Sequence, residues 1–369
     1  MNAIRRLAAL GQSIWYDNIR RGMIESGAVQ ALIDRGVLGI TSNPTIFQKA
    51  IGESGDYDEA IRGLVHAGRN ATQIYEALVM EDIGRTADLF RPVYEATDRR
   101  DGFVSIEVEP AMAHDTAGTI ARGRDIFRRL GRPNVMIKVP ATDAGLPAIT
   151  ALIGEGIHVN VTLIFSVDVY QKVIDAYLSG LRAHVDGGGD PAAVASVASF
   201  FVSRLDNLVD ARLQIRIDAG QTHLRTLLGQ AAVANAKVAY ALYRVNFHGP
   251  RFAALQARGC RPQRPLWAST STKNPAYRET IYVDTLIGVE TVNTVPPATL
   301  EALDRLDVSR PTIEDDLEDA RAALTSIEGC GIRLADVTEE LRAAGVKAFA
   351  DSFDQLMTDL SRRAGRKVE

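Results

Sequence analysis

The chain has 369 residues, 46% of them hydrophobic and 24% charged, which is enough apolar material to bury a large core and excludes a disordered or fibrous chain. A formal net charge of -4 without basic runs argues against nucleic acid as the main partner, and no apolar run approaches the ~20 residues that span a bilayer. Two cysteines, Cys260 and Cys330, do not make a disulfide framework, and the short apolar stretch after Arg5 and Arg6 cannot form a signal-peptide core, so the expected compartment is the cytoplasm.

Short β-rich runs recur along the chain between segments of helical periodicity. "SIWYDNI" (13–19) precedes a helix at 23–35, and "GVLGITSNP" (36–44) precedes a long helical stretch at 57–98. "FVSIEVEP" (103–110) leads to a helix near 116–130, and "NVMIKVP" (134–140) to one near 143–154. "IHVNVTLIF" (157–165), "AVASVASFFVS" (193–203), "PLWASTS" (265–271) and "GVETVNTVP" (288–296) complete eight strands. Strands alternating with helices build parallel βα units, and eight of them point to a closed (β/α)8 TIM barrel; an open doubly wound sheet is the competing architecture. No glycine-rich phosphate loop supports the open sheet. The expectation is a single barrel domain over 1–369. Residues 205–264, long for one connection, form a helical insertion before strand seven that makes an oligomer contact or covers the site, and 297–369 form a helical C-terminal tail.

Alternation along the strands gathers polar groups on one parity. Strand one offers Ser13, Trp15 and Asp17, strand three Ser105, Glu107 and Glu109, and strand four Asn134, Met136 and Lys138. Strand five adds His158, Asn160 and Thr162, strand six Val197, Ser199 and Phe201, and strand seven Trp267, Ser269 and Ser271. In a barrel this parity looks inward, and its C-terminal members reach the end where barrel active sites lie.

Lys138 is the residue that demands an explanation. It is a surface lysine, a structural ion-pair partner of Glu107 or Glu109, or an amine held in a pocket. A lysine taken out of water loses preference for its charged form and becomes a nucleophile able to condense with a carbonyl. The resulting iminium is an electron sink that stabilises a carbanion on the neighbouring carbon. Asp17 and Glu107, read as carboxylates on strands flanking the lysine strand, supply acid–base groups; Asn43, Asn160, Thr162 and Ser199 supply hydrogen bonds for hydroxyls; Arg204 faces a phosphate. The bland readings stand beside these: Asp17 orienting a loop, Arg204 in a surface network, Trp15, Phe201 and Trp267 as packing, and His158 as a hydrogen-bonded interior histidine. The six histidines show no metal-ligand spacing, so neither a metal nor another cofactor is expected.

"WYDNIRR", "GITSNPTIFQKAI", "VSIEVEP", "MIKVPAT", "VNVTLIFS", "SFFVSRLD" and "WASTSTKNP", in this order, resemble the transaldolase family over residues 11–296, and the "YVDTLIGVETVNTVP" segment resembles its longer bacterial and actinobacterial members. The resemblance implies a (β/α)8 barrel, a permuted relative of class I aldolases. It implies transfer of a three-carbon dihydroxyacetone unit between sugar phosphates in the non-oxidative pentose phosphate pathway. The donors are sedoheptulose 7-phosphate or fructose 6-phosphate, and the acceptors glyceraldehyde 3-phosphate or erythrose 4-phosphate. Carried over by motif, Lys138 forms the Schiff base, Asp17 is the acid–base for carbon–carbon cleavage, and Glu107 with Thr162 handles the catalytic water. Asn43 and Asn160 hold the three-carbon unit, while Ser199, Phe201, Arg204 and Ser269 face the sugar and its phosphate. Shorter members carry an arginine soon after the strand-seven serine where this chain offers Lys273, which lacks arginine's bidentate fork. A fructose 6-phosphate aldolase, sharing the lysine but releasing dihydroxyacetone, and a non-catalytic sugar-phosphate-binding barrel are the alternatives.

Overall fold

All eight expected strands form, and they close into one parallel barrel in chain order. They are β1 (Gln12–Tyr16), β2 (Ile40–Thr41), β3 (Val104–Glu107), β4 (Val135–Pro140), β5 (Val159–Ile164), β6 (Ser196–Phe201), β7 (Arg264–Ala268) and β8 (Thr291–Val295). The ring shuts where β1 pairs with β8, Gln12 opposite Thr291 through Tyr16 opposite Val295. The computed structural model describes residues 2–365, so Met1 and the last four residues of the expected tail lie outside the described residues.

Strand composition explains the two-layered core. Val135, Ile137 and Val139 of β4 are fully buried and join the apolar layer between strands and helices. The opposite parity, with Trp15, Met136, Val197, Leu266 and Val292, packs inside the barrel. Space there is tight: a Cβ on Gly39 would lie 2.7 Å from the Trp15 ring.

The helices differ from expectation where glycines intervene. The segment 23–35 is two helices, Arg21–Glu25 and Ala28–Arg35, parted at Gly27 with φ +79°. The stretch 57–98 divides at Gly68, φ +71°, and restarts at Ala71–Ala96 behind a capping box between Asn70 and Gln73. Residues 205–264 are helical, with Ser203–Asp218, Ala231–Phe247 and Pro250–Ala257 around a 3-10 turn at Thr222–Leu227. An unexpected helix, Ala3–Ala9, is capped by Asn2, whose Oδ1 accepts from the Arg5 amide at 2.9 Å.

The tail ends in a 32-residue helix, Leu334–Gly365, which packs on the helices Pro44–Glu53, Ala71–Ala96 and Ser203–Asp218 and on β5. Thr45 and Ser352 share a hydroxyl hydrogen bond of 2.8 Å across that contact. Gly345 makes the approach possible, since a Cβ there would lie 2.8 Å from Leu163 Cδ2. Leu163 itself marks an irregularity in β5: its φ is +59° and the β5–β6 register shifts between Val161 and Ile164. The bulge turns Leu163 into the barrel interior directly after Thr162, so two successive residues serve one face.

Candidate active site

Parallel register sets the first row of the site. Glu107 lies opposite Lys138 across β3–β4, and Lys138 opposite Asn160 across β4–β5. Residues paired this way point to the same face, so the three side chains line up inside the barrel. Thr162 stands one step higher, opposite Pro140.

Lys138 is 5% exposed. Its Nζ donates to the Ser42 carbonyl at 3.0 Å and lies 3.7 Å from Glu107 Oε2. Glu107 Oε2 and Thr162 Oγ1 are buried without a hydrogen-bond partner among the described residues. Burial pushes the Glu107 carboxyl from 4.5 up to about 7, although the Lys138 charge pulls the other way.

Asp17 follows β1, not a strand flanking β4 as expected; β1 neighbours β2 and β8, so Asp17 approaches from across the barrel. Its amide donates to the Val295 carbonyl at 2.9 Å, and its Oδ1 accepts from Thr41 Oγ1 at 2.7 Å. Burial raises its carboxyl above the ordinary range, with Lys138, Thr41 and Arg204 opposing.

Above this row a cavity of about 290 Å³ opens at the C-terminal end of the strands. Asp17, Lys138, Thr162, Ser199, Phe201 and Arg204 all line it. It adjoins a further space of about 450 Å³, with Asp17, Ile46 and Lys49 on the boundary. Asn43 lines the cavity too, while its Oδ1 caps the helix Pro44–Glu53 by accepting from the Ile46 amide at 2.9 Å. Arg204 stands with its guanidinium 5.4 Å from the Phe201 ring centre and makes no ion pair among the described residues. Burial holds it below the usual arginine range, against the pull of Asp17.

Several expected residues sit elsewhere. Asn160 is fully buried beneath the cavity, donating to Ser105 Oγ at 3.0 Å and accepting from Ser199 Oγ at 2.7 Å, so it orients Ser199 and does not form the wall. Glu107 likewise lies behind Lys138. Glu109 is bound by Arg122, its Oε1 2.6 Å from Nη2. On β7 the inward parity is Leu266 and Ala268, whereas Trp267 turns outward against Phe200, ring centres 6.1 Å apart. Ser269 still reaches the cavity because its φ of +55° turns the chain out of the strand; it shares a 3.0 Å hydrogen bond with Ser203. Ser13 and Trp15 do not reach this end at all: both donate to the Asp101 carboxylate. His158 is an interior histidine, bonded to the Pro133 carbonyl and the Ala195 amide and pushed down to about 4 by burial. Lys273 lines the mouth and donates to Ser271 Oγ at 2.9 Å. None of residues 205–264 is among those lining the cavity.

Eight lining residues, among them Thr41, Thr294, Lys49 and Phe349, escaped the sequence reading. Lys49 carries an exposed cation on the helix face shared with Thr45, four residues earlier, a spacing legible in "TIFQK". Phe349 arrives from the C-terminal helix, and nothing local announces where that helix docks.

The family described as transaldolase/fructose-6-phosphate aldolase matches residues 14–360. A protein named transaldolase from Parafrankia sp. is 47% identical over 361 residues, 97% of either chain. Transaldolase 1 of Streptomyces coelicolor is 46% identical over 367 residues, 99% of this chain and 96% of that one. Transaldolase 2 of Nostoc sp. is 44% identical over 370 residues, covering 98% and 97%. With likeness running almost end to end and a lysine buried in a closed barrel, the chain belongs to the transaldolase/fructose-6-phosphate aldolase family.

Proposed function

We propose that the protein is a transaldolase: it moves a dihydroxyacetone unit from a ketose phosphate to an aldose phosphate through a Schiff base on Lys138. The observation that carries the mechanism is a buried amine, 3.7 Å from a carboxylate that burial holds at about 7, facing a cavity of about 290 Å³. The amine attacks the ketose carbonyl, and the carbinolamine loses water to give the iminium. Glu107 and Thr162 suit the proton transfers of that step, because a water between them would satisfy Oε2 and Oγ1, both otherwise without partners. Asp17, across the mouth, takes the proton from the substrate hydroxyl whose carbon–carbon bond breaks. The aldose leaves, the carbanion is delocalised into the iminium, and an acceptor aldehyde re-forms the bond by the reverse path.

Arg204 is the best-placed phosphate ligand, a partly buried guanidinium without an ion-pair partner among the described residues, and an anion would offset its desolvation. Lys49 and Lys273 add positive charge at the rim. Sedoheptulose 7-phosphate and fructose 6-phosphate are the donors, glyceraldehyde 3-phosphate and erythrose 4-phosphate the acceptors, which fits the pentose phosphate pathway and a cytoplasmic enzyme. We read the barrel, its helical insertion and its tail as one domain.

Borohydride reduction in the presence of fructose 6-phosphate should fix a stable adduct on Lys138, located by peptide mapping, and Lys138→Ala should abolish transfer while keeping the fold. An adduct on another residue, or transfer without Lys138, would overturn the mechanism. Rapid release of free dihydroxyacetone without an acceptor would favour the aldolase activity that the family description also names.

A further inference from the structure

A second cavity, of about 230 Å³, lies at the opposite pole, where the strands begin. Met136 of β4 and Val197 of β6 give it an apolar floor, and Arg99, Arg100, Arg261 and Arg264 stand in its wall. Two of these arginines are committed to the fold. Arg264 is 6% exposed and binds Asp101 Oδ1, Ser13 Oγ and the carbonyls of Arg100 and Thr291, leaving its Nε without a partner. Arg261 pairs with Asp98 at 3.0 Å. Glu290, also in the wall, is engaged by the Tyr243 hydroxyl at 2.6 Å and by His248 at 2.8 Å.

Arg99 and Arg100 remain. Arg99 has Asp190 at 4.0 Å, with both side chains more than half exposed, a contact worth little in water. Arg100 makes no ion pair and no side-chain hydrogen bond among the described residues. Burial and then the neighbouring Arg264 charge hold its guanidinium below the ordinary arginine range, with the Asp101 and Glu290 carboxylates only partly opposing them, so a bound anion would still relieve it. Among the described residues, the loose Asp190 contact of Arg99 is the one ion pair that either side chain makes. Backbone strain marks the same rim: Asp98, Arg99 and Glu290 take φ of +50°, +61° and +60°. Leu163 and Ser269, at the catalytic end, share that uncommon conformation, which is retained where surrounding structure enforces it.

We propose that this cavity is a binding site for a small phosphomonoester bearing a compact apolar group, separate from the catalytic mouth. Arg99 and Arg100 hold the phosphate, and Met136 and Val197 support the apolar part. A phosphomonoester fits better than a carboxylate because two guanidinium groups, one loosely paired and one without an ion pair among the described residues, match a charge near -2 and three acceptor oxygens.

Calorimetric titration with phenyl phosphate tests the site in an Arg204→Ala background, which removes the arginine of the catalytic mouth. Saturable binding of one equivalent should persist in that protein. It should weaken by about tenfold or more when Arg99→Ala and Arg100→Ala are added, the loss expected for hydrogen bonds to a charged group. The Arg99→Lys, Arg100→Lys pair should recover part of the affinity, which a merely misfolded variant would not. Absence of saturable binding to the Arg204→Ala protein, or equal affinity with and without Arg99 and Arg100, would overturn the proposal.

Discussion

Replacing Glu107 with glutamine isolates what it costs to hold an ionisable carboxyl beside Lys138. The Glu107 side chain is 7% exposed, and burial moves its carboxyl from 4.5 to about 7. A carboxyl that keeps its proton longer in the folded state than in the unfolded chain removes stability as pH rises. The penalty is absent below pH 4.5, grows between 4.5 and about 7 while only the unfolded chain ionises, and is complete above that. The rise from 4.5 to about 7 corresponds to about 3 kcal/mol in full, most of which accrues between about pH 5 and pH 8. Glutamine has no such titration. The unfolding free energy of Glu107→Gln minus that of the wild type should therefore rise by about 2–3 kcal/mol over this interval. Leaving Lys138 without its carboxylate displaces the whole variant curve, so the readout is the pH dependence of the difference. Urea unfolding across the pH range at constant ionic strength supplies it. Curves that stay parallel within about 0.5 kcal/mol would refute the burial argument for Glu107.

Thr162→Val removes a buried hydroxyl that has no protein partner, so stability should hold within about 0.5 kcal/mol while turnover falls about a hundredfold; equal turnover would remove Thr162 from the proton path. Arg204→Ala should raise the KM for a phosphorylated donor about ten- to a hundredfold and change kcat much less, in steady-state kinetics with fructose 6-phosphate. Gly345→Val places new atoms where even a Cβ would lie 2.8 Å from Leu163 Cδ2, and urea unfolding should show a loss of about 1–3 kcal/mol.

Local pattern made the strands and most of the helices legible, because period-two and period-3.6 spacing are properties of consecutive residues. The row of Glu107, Lys138 and Asn160 needed more: each lay on the polar parity of its strand, but only pairing register aligns them. Parity failed at two backbone irregularities. Leu163 and Ser269 both take positive φ, and across each the alternating count no longer says which way a side chain points. On β7 this sent the reading to Trp267, whose indole belongs to the outer layer. Phe349 was out of reach for another reason. Its helix is evident from sequence, but its docking depends on a glycine, Gly345, meeting a bulge some 180 positions earlier in the chain.

Polar residues inside the barrel form two populations that sequence could not separate, and hydrogen-bond accounting does. The Asp101 carboxylate at the lower pole accepts from Ser13 and Trp15 at 2.8 and 2.9 Å and from Arg264 at 3.1 Å, so both oxygens are committed. The Glu107 carboxylate near the mouth has one oxygen without a hydrogen bond and one ammonium at 3.7 Å. A buried carboxylate saturated by fixed donors holds strands in register and has little capacity left for a substrate or a water. One left under-coordinated makes the fold less stable and keeps that capacity, which is what proton transfer requires. The same reasoning separates Arg264, with four hydrogen bonds, from Arg204, which among the described residues makes no hydrogen bond or ion pair and rests on the face of Phe201. Polar character therefore marks which residues face inward, and incomplete pairing marks which of them are free to act.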